Sequence, residues 1–189
     1  MASETEQIKA AMRAGLDGIS FSDHDCLVDR RHLAELNRQY APFRIFTAIE
    51  VSLASEHVLV IGVADPELES CGWEYKDLHR FVRRRKGFIA LAHPFRYQEI
   101  SVDIKQFPPD AIEVFSPNTP QWAEQKIRQI AAGVGCDLLS NSDAHTSQLI
   151  GKYYNVVEGE PQNDAELLQS LRKRTWKYCY EPTSSLPRF

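Results

Sequence analysis

The chain has 189 residues, 43% of them hydrophobic and 25% charged, with a formal net charge of −4. Those proportions exclude a disordered polymer and suit one sizeable core rather than two ordinary domains. The acidic balance, with a pI near 5.9, gives no general reason to expect nucleic acid as the main partner. From Glu4 to Ala14 the apolar positions Ile8, Ala11 and Met12 recur at helical spacing, and Gly15 is placed to end the helix. Leu16 to Phe21 then reads as a short buried strand running into Ser22, Asp23, His24 and Asp25. Asp29 to Tyr40 returns to helix with Leu33 and Leu36 inward, Arg44 to Glu50 reads as a second strand, and His57 to Val63 as a third. A helix over Glu74 to Lys86 is closed by Gly87, and the strand Phe88 to Ala92 leads directly into His93 and Pro94. Asp110 to Phe115 is a fifth strand, and Pro120 to Ala132 a helix with proline at its start. Gly135 to Ser140 is a sixth strand ending in the run Asn141 to His145, and Asp164 to Arg174 a last helix capped by Asn163.

Short apolar strands alternating with helices predict an α/β fold with a mostly parallel sheet or barrel. Residues 51–56 are too few for a crossover helix, so the second and third strands read as an antiparallel pair. No internal repeat or low-complexity linker interrupts the pattern; residues 1–180 read as one domain and 181–189 as a loosely held tail. Cys26, Cys71, Cys136 and Cys179 are scattered with no C-x-x-C pair, and the chain opens on a charged helix rather than a signal peptide. Reduced thiols in a cytoplasmic protein are the expectation. The apolar runs at 57–63 and 88–92 are far too short to cross a bilayer. One basic run, Arg80 with Arg83 to Lys86, reads as the solvated face of a helix.

The polar residues recur at one place in each unit. His24, Glu50, His93, Asp143 and His145 fall at the carboxyl ends of predicted strands, the edge of an α/β sheet where ligand groups converge. With His57 they make a nitrogen and oxygen donor set suited to zinc, manganese or iron, and the lack of nearby cysteine argues against a closed structural zinc site. Each also has a plainer reading. Glu50 alone could be a solvated charge, His57 a half-buried core histidine, His93 a turn residue and His145 an exposed loop residue. Four of the six histidines fall at strand ends, which favours a metal site, but spacing alone leaves both readings open. His32 and His79 lie inside predicted helices and read as surface residues without a functional role.

Several segments are specific enough to carry a resemblance. The run from Gly15 to Asp25, GLDGISFSDHD, resembles a segment of the polymerase and histidinol phosphatase (PHP) family, and Ala48-Ile49-Glu50 is similar to that family's G-I-E. His57 to Gly62, Leu91 to Arg96 (LAHPFR), Ala111 to Phe115 with Asn118, and Ser142 to His145 with Ile150-Gly151 resemble further family motifs in the same order. The resemblance implies a distorted seven-stranded β/α barrel holding up to three divalent metal ions, zinc, manganese or iron, at the strand carboxyl ends. It implies that Glu50 bridges two ions, that His57 and His93 complete the second, that Asp143 binds the first, and that His24 and His145 bind the third. Asp23 and Asp25 flank His24 and are candidates for orienting it, and Arg96 for clamping a phosphate with its planar fork. The implied activity is hydrolysis of a small phosphate monoester or nucleotide phosphodiester by a metal-activated water.

One departure stands against these matches. The family pattern begins with a strand carrying D-x-H-x-H, and no H-x-H occurs in this sequence. Three readings follow: a fragment of a longer protein, which is the one favoured; a shorter relative with one or two ions; or a degenerate domain that binds metal or a partner without catalysis. A barrel lacking its first strand is expected to be open at the seam, and an open strand edge invites a homodimer there.

Overall fold

The computed structural model describes residues 3–180, so the expected loose tail at 181–189 lies outside the described residues. The first helix, α1 (Glu4–Arg13), opens on a reciprocal cap: Ser3 Oγ accepts from the Glu6 amide and Glu6 Oε2 accepts from the Ser3 amide at 2.8 Å. There follow β1 (Gly18–Phe21), α2 (Arg30–Gln39), β2 (Arg44–Ser52), β3 (His57–Ile61), α3 (Tyr75–Arg84), β4 (Phe88–Ala92), β5 (Ala111–Phe115), α4 (Glu124–Val134), β6 (Asp137–Ser140), β7 (Tyr153–Val156), α5 (Asp164–Arg172) and β8 (Lys177–Tyr180). The chain is of mixed α/β class, as the alternation of elements predicts.

Strands β1 to β6 form one sheet in sequence order, curled into an open half-barrel, while β7 and β8 pair separately as an antiparallel ribbon. The β1–β2, β4–β5 and β5–β6 pairs are parallel, and β3 alone runs against both its neighbours. That reversal follows from chain length. Four residues join β2 to β3, closed by the Leu53 amide donating to the Glu56 carbonyl at 2.9 Å, which is a hairpin and not a crossover. Its consequence is positional: the start of β3 lies beside the end of β2 and the end of β4, with His57 opposite both Ser52 and Ala92. The carboxyl-edge grouping expected from sequence is thereby extended to a residue at an amino-terminal strand end.

Both faces of the central strands are covered, so they read as continuous apolar runs. On β4 the side chains alternate between two clusters. Ile89 and Leu91 pack with Leu78, Phe81 and Val82 of α3 and Ile127 of α4. Phe88 and Ala90 pack with Leu167, Leu168 and Leu171 of α5. A third cluster joins Ile8 and Ala11 of α1 and Leu36 of α2 to Phe21 of β1 and Ile45 of β2. No helix among the described residues is long and apolar enough to cross a membrane.

The structure departs from the sequence reading in four places. Residues 120–132 divide into a short 3-10 turn, Gln121–Ala123, and α4, which runs on to Val134 and ends on Gly135 in the left-handed region. A 3-10 turn at Pro66–Glu69 and the β7–β8 ribbon have no counterpart in the expected elements. His79 is not a surface residue: it is half-buried, its Nε2 lies 3.0 Å from the Pro108 carbonyl oxygen, and burial pulls its pKa down. His32 is exposed as expected, with Nε2 2.6 Å from Glu4 Oε2. The basic run on and after α3 is largely neutralised by neighbours. Arg80 pairs with Asp77 at 3.6 Å, Arg83 with Asp110 at 2.6 Å and Arg85 with Asp65 at 2.5 Å.

Gly62 ends β3 with φ +75, and a Cβ there would stand 2.6 Å from Leu168 Cδ1 of the α5 cluster. Gly62→Ala therefore adds left-handed backbone strain to an overlap in a packed core, for an expected loss of about 2–4 kcal/mol. A urea unfolding midpoint equal to that of the unaltered protein would contradict this reading of the β3–α5 contact.

Candidate metal centre

Glu50 is the keystone of the polar cluster. It sits on the buried strand β2 and is only 7% exposed. Its backbone is braced on the β1 side, where the Glu50 amide donates to the Asp23 carbonyl at 3.2 Å and the Asp25 amide donates to the Glu50 carbonyl at 3.0 Å. That bracing extends the parallel pairing of β1 and β2 past the end of β1 and sets His24 beside Glu50 as an isolated bridge. On the other side the β2–β3–β4 register delivers His57 and, one residue beyond β4, His93.

Three donor atoms converge. His57 Nδ1 lies 2.8 Å from Glu50 Oε1, His93 Nε2 lies 3.2 Å from the same oxygen, and the two nitrogens are 3.3 Å apart. Donors bound to one ion at about 2.0–2.2 Å stand roughly 3 Å from one another, so the triangle has the dimensions that a single divalent cation requires. The donor chemistry agrees, with two imidazoles and one carboxylate. His24 Nδ1 stands 3.9 Å from Glu50 Oε1, and its ring meets that of His57 edge to face at 4.7 Å between centroids. His24, Glu50 and His57 each offer a ligand atom within 4.8 Å of the others. The centre thus draws together four of the six sequence-predicted ligands.

Asp143 and His145 form a second group. Asp143 follows the loop from β6 with φ +40, an unusual conformation for a non-glycine residue. Its Oδ2 accepts from Asn118 Nδ2 and lies 3.9 Å from Arg96 Nη1. His145 is exposed, with Nδ1 3.7 Å from Asp143 Oδ1 and 3.1 Å from the Asp143 carbonyl oxygen. Of the flanking acids, Asp25 accepts at Oδ1 from the Ser52 amide at 2.8 Å, and the Ser52 hydroxyl lies 3.3 Å from His24 Nδ1. Asp23 is exposed and contributes through its carbonyl. The group that reaches His24 is Ser52, a residue no sequence signal marked.

Two further residues escaped the sequence reading as parts of the site. Glu113, in the middle of β5, is 3% exposed, and Asn141 follows β6 directly; they are joined at 2.8 Å. The signal for Glu113 was available, since one carboxylate inside the apolar run Ala111 to Phe115 must find buried partners.

Charge at the centre follows from burial set against contact. Burial alone would raise the Glu50 carboxyl, but the hydrogen bonds of His57 and His93, with the charges of His93 and His24, hold it at about 2. For His93 burial alone would lower the pKa, and the hydrogen bond to Glu50 together with the carboxylates of Glu113, Glu50 and Asp143 reverses this and raises it. Burial pushes the Glu113 carboxyl up, against the pull of His93 and Asn141.

The same architecture occurs in solved structures. PsfC from Pseudomonas syringae superposes with a TM-score of 0.74 at 18% identity, over 94% of this chain and 82% of that one. A two-domain protein of Bacteroides vulgatus, named for a predicted PHP-like metal-dependent phosphoesterase, gives 0.67 at 18% identity over 93% of this chain and 60% of that one. An amidohydrolase of Chromobacterium violaceum with bound sulfate gives 0.60 at 16% identity over 87% and 89%. A family model described as PHP-associated matches residues 121–176. The chain has the PHP-type fold. No curated protein matches it in sequence.

A small cleft opens beside His57 and His93, walled by Ser55, Glu56, Phe95, Arg96, Tyr97 and Gln98. Tyr97 is 69% exposed, with its ring 6.4 Å from that of His57 and the Arg96 guanidinium 5.0 Å above it. The β2–β3 turn is tied to the segment that follows this wall by Glu56 Oε1, which accepts from the Ser101 amide at 2.9 Å.

Metal binding at the centre must displace any proton on His93, whose pKa is raised. The sign is therefore fixed: manganese affinity is expected to fall by tenfold or more between about pH 8 and about pH 6. An affinity from calorimetric titration that is flat across that range would show that these imidazoles are not ligands.

Proposed function

We propose that the chain is a metal-dependent phosphoesterase that hydrolyses a small phosphate monoester or nucleotide phosphodiester. The observation that carries the reading is the triangle of Glu50 Oε1, His57 Nδ1 and His93 Nε2 at 2.8, 3.2 and 3.3 Å, opening on a cleft with an arginine in its wall. Glu50, His57 and His93 would hold the best-bound ion, which is zinc, manganese or iron. His24, Asp143 and His145 are proposed as ligands of further ions, for one to three in all. A divalent cation bound there supplies Lewis-acid polarisation of a phosphoryl oxygen and a water whose pKa falls to about 7.

The protein's own side chains do the rest. Glu50 stays ionised throughout the neutral range and so presents a fixed negative charge to the cation. Arg96 binds phosphoryl oxygens and orients the ester; its pairing with Asp143 at 3.9 Å holds the guanidinium over the cleft beforehand. Tyr97 stands at the His57 side of the opening, its exposed ring 6.4 Å from that of His57. Relatives of the same fold support the reaction class, two of them through names that describe a metal-dependent phosphoesterase. Sulfate on the Chromobacterium violaceum protein supports the anion, since sulfate and phosphate share shape and charge.

A metal-binding domain without turnover is the second reading. It is favoured by the engagement of Asp143, whose carboxylate is already met by Asn118, Arg96 and His145.

With manganese present, hydrolysis of a generic aryl phosphate is expected to fall at least 100-fold in both Glu50→Ala and His93→Ala. Turnover that survives both substitutions would remove this site from the reaction. Stoichiometric metal with no turnover on a panel of phosphate monoesters and diesters would select the non-catalytic reading.

A further inference from the structure

Among the described residues, Glu113 is the most deeply buried carboxylate that the proposed reaction does not use. It lies on β5 between β4 and β6, and its two oxygens reach the ends of both neighbours. Oε2 accepts from the His93 amide at 2.8 Å, and Oε1 accepts from Asn141 Nδ2 at 2.8 Å. The line of bonds continues. Asn141 Oδ1 accepts from Asn155 Nδ2 at 3.1 Å, and Asn155 also clasps the Ser140 backbone, accepting from its amide at 3.0 Å and donating to its carbonyl at 2.8 Å. Asn155 belongs to β7. A single polar strap thus crosses from the end of β4, over β5 and the end of β6, to the β7–β8 ribbon.

The strap stands where the backbone ladder gives out. The β4–β5 pairing covers only Ala90 with Ala111 and Leu91 with Ile112, and the β5–β6 register shifts between Glu113 and Phe115. His93 therefore lies past the last cross-strand rung of its own strand, and its φ of +24 is a conformation that non-glycine residues rarely hold without restraint. The Glu113 carboxylate supplies the missing acceptor for its amide.

We propose that Glu113 is a positioning residue that fixes the His93 backbone, and so the direction of Nε2 towards Glu50, with Asn141 and Asn155 anchoring it to the β7–β8 ribbon. The inference rests on the reading of His93 as a metal ligand. Its chemical signature is the polarity of the bonds. Glu113 must accept at both oxygens, whereas a glutamine accepts at one and turns an NH2 towards the Asn141 NH2. Exchanging the two groups restores complementarity. In Glu113→Gln with Asn141→Asp, residue 113 still accepts from the His93 amide and donates to the carboxylate at 141, which can still accept from Asn155. The formal charge of the pair is unchanged.

The test is manganese binding by the full chain, with hydrogen exchange of the His93 amide as a metal-independent readout, at mildly alkaline pH. Glu113→Gln alone is expected to weaken manganese binding about 10- to 100-fold and to speed exchange at His93. Asn141→Asp alone, which sets two carboxylates against each other, is expected to weaken it as well. The double variant is expected to return to within about threefold of the unaltered protein in both measurements. Should Glu113→Gln fail to fold, Asn141→Asp and the double variant still decide the matter. Single variants that bind and exchange as the unaltered protein does, or a double variant no better than the singles, would overturn the proposal. Failure of the unaltered protein to bind manganese would instead overturn the metal reading, and the exchange rates would still judge the strap.

Discussion

A carboxylate on the central, doubly covered part of a sheet is costly unless its charge is met, and Glu50 meets it by gathering imidazole nitrogens around one oxygen. Removing an isolated carboxylate from water costs several kcal/mol; the contacts of His57 and His93 reverse that cost, which is why the Glu50 carboxyl is held at about 2 rather than raised by burial. The rest of the centre depends on this convergence. It requires β3 to run against β2 and β4, because only then does His57, at the start of a strand, arrive beside groups at the ends of two others. The short turn between β2 and β3 is therefore a functional constraint as much as a topological one. A crossover helix there would have carried His57 to the opposite edge of the sheet.

Around that convergence the backbone is held in uncommon conformations. His93, Asp143 and Asp25 all have positive φ, as does Phe95 in the cleft wall. Such residues cluster where a loop must turn sharply to aim a side chain, at a cost of order 1–3 kcal/mol each. The first three have a visible restraint. The His93 amide is taken by Glu113, Asp143 is met by Asn118 and His145, and Asp25 is fixed between the Glu50 carbonyl and the Ser52 amide. The two polar groups, one around Glu50 and one around Asp143, are linked by charge, since the Asp143 carboxylate is among those that raise the pKa of His93.

Much of this was legible in the sequence. Strands flanked by turn residues and helices with clear caps set the α/β alternation, and the shortness of residues 51–56 gave the reversal at β3. The shared edge of His24, Glu50 and His93 followed from strand ends, because strand direction determines which edge a terminal residue occupies, whereas His57 opens its strand and joins them only because β3 runs against its neighbours. The β7–β8 ribbon was not legible. Tyr153 to Val156 and Lys177 to Tyr180 have strand-forming residues, but each is four residues long, mostly half-exposed, and separated from its partner by α5, so neither a turn signal nor a buried run marks them. The roles of Ser52, Asn141 and Asn155 were equally hidden. Their contacts cross between segments distant in sequence, and a lone serine or asparagine at or beyond a strand end, or in a short half-exposed strand, carries no signal of its own. His79 was misjudged because a position in a charged helix does not disclose which of its faces packs against the Pro108 loop.

The central claim is that Glu50 Oε1, His57 Nδ1 and His93 Nε2 share one divalent cation. The most direct test is a crystal structure of the manganese-loaded chain with anomalous diffraction at the manganese edge. The account predicts a peak within about 2.0–2.4 Å of all three atoms. An absence of anomalous density there, with the three atoms still hydrogen-bonded to one another in crystals that hold manganese elsewhere, would contradict it.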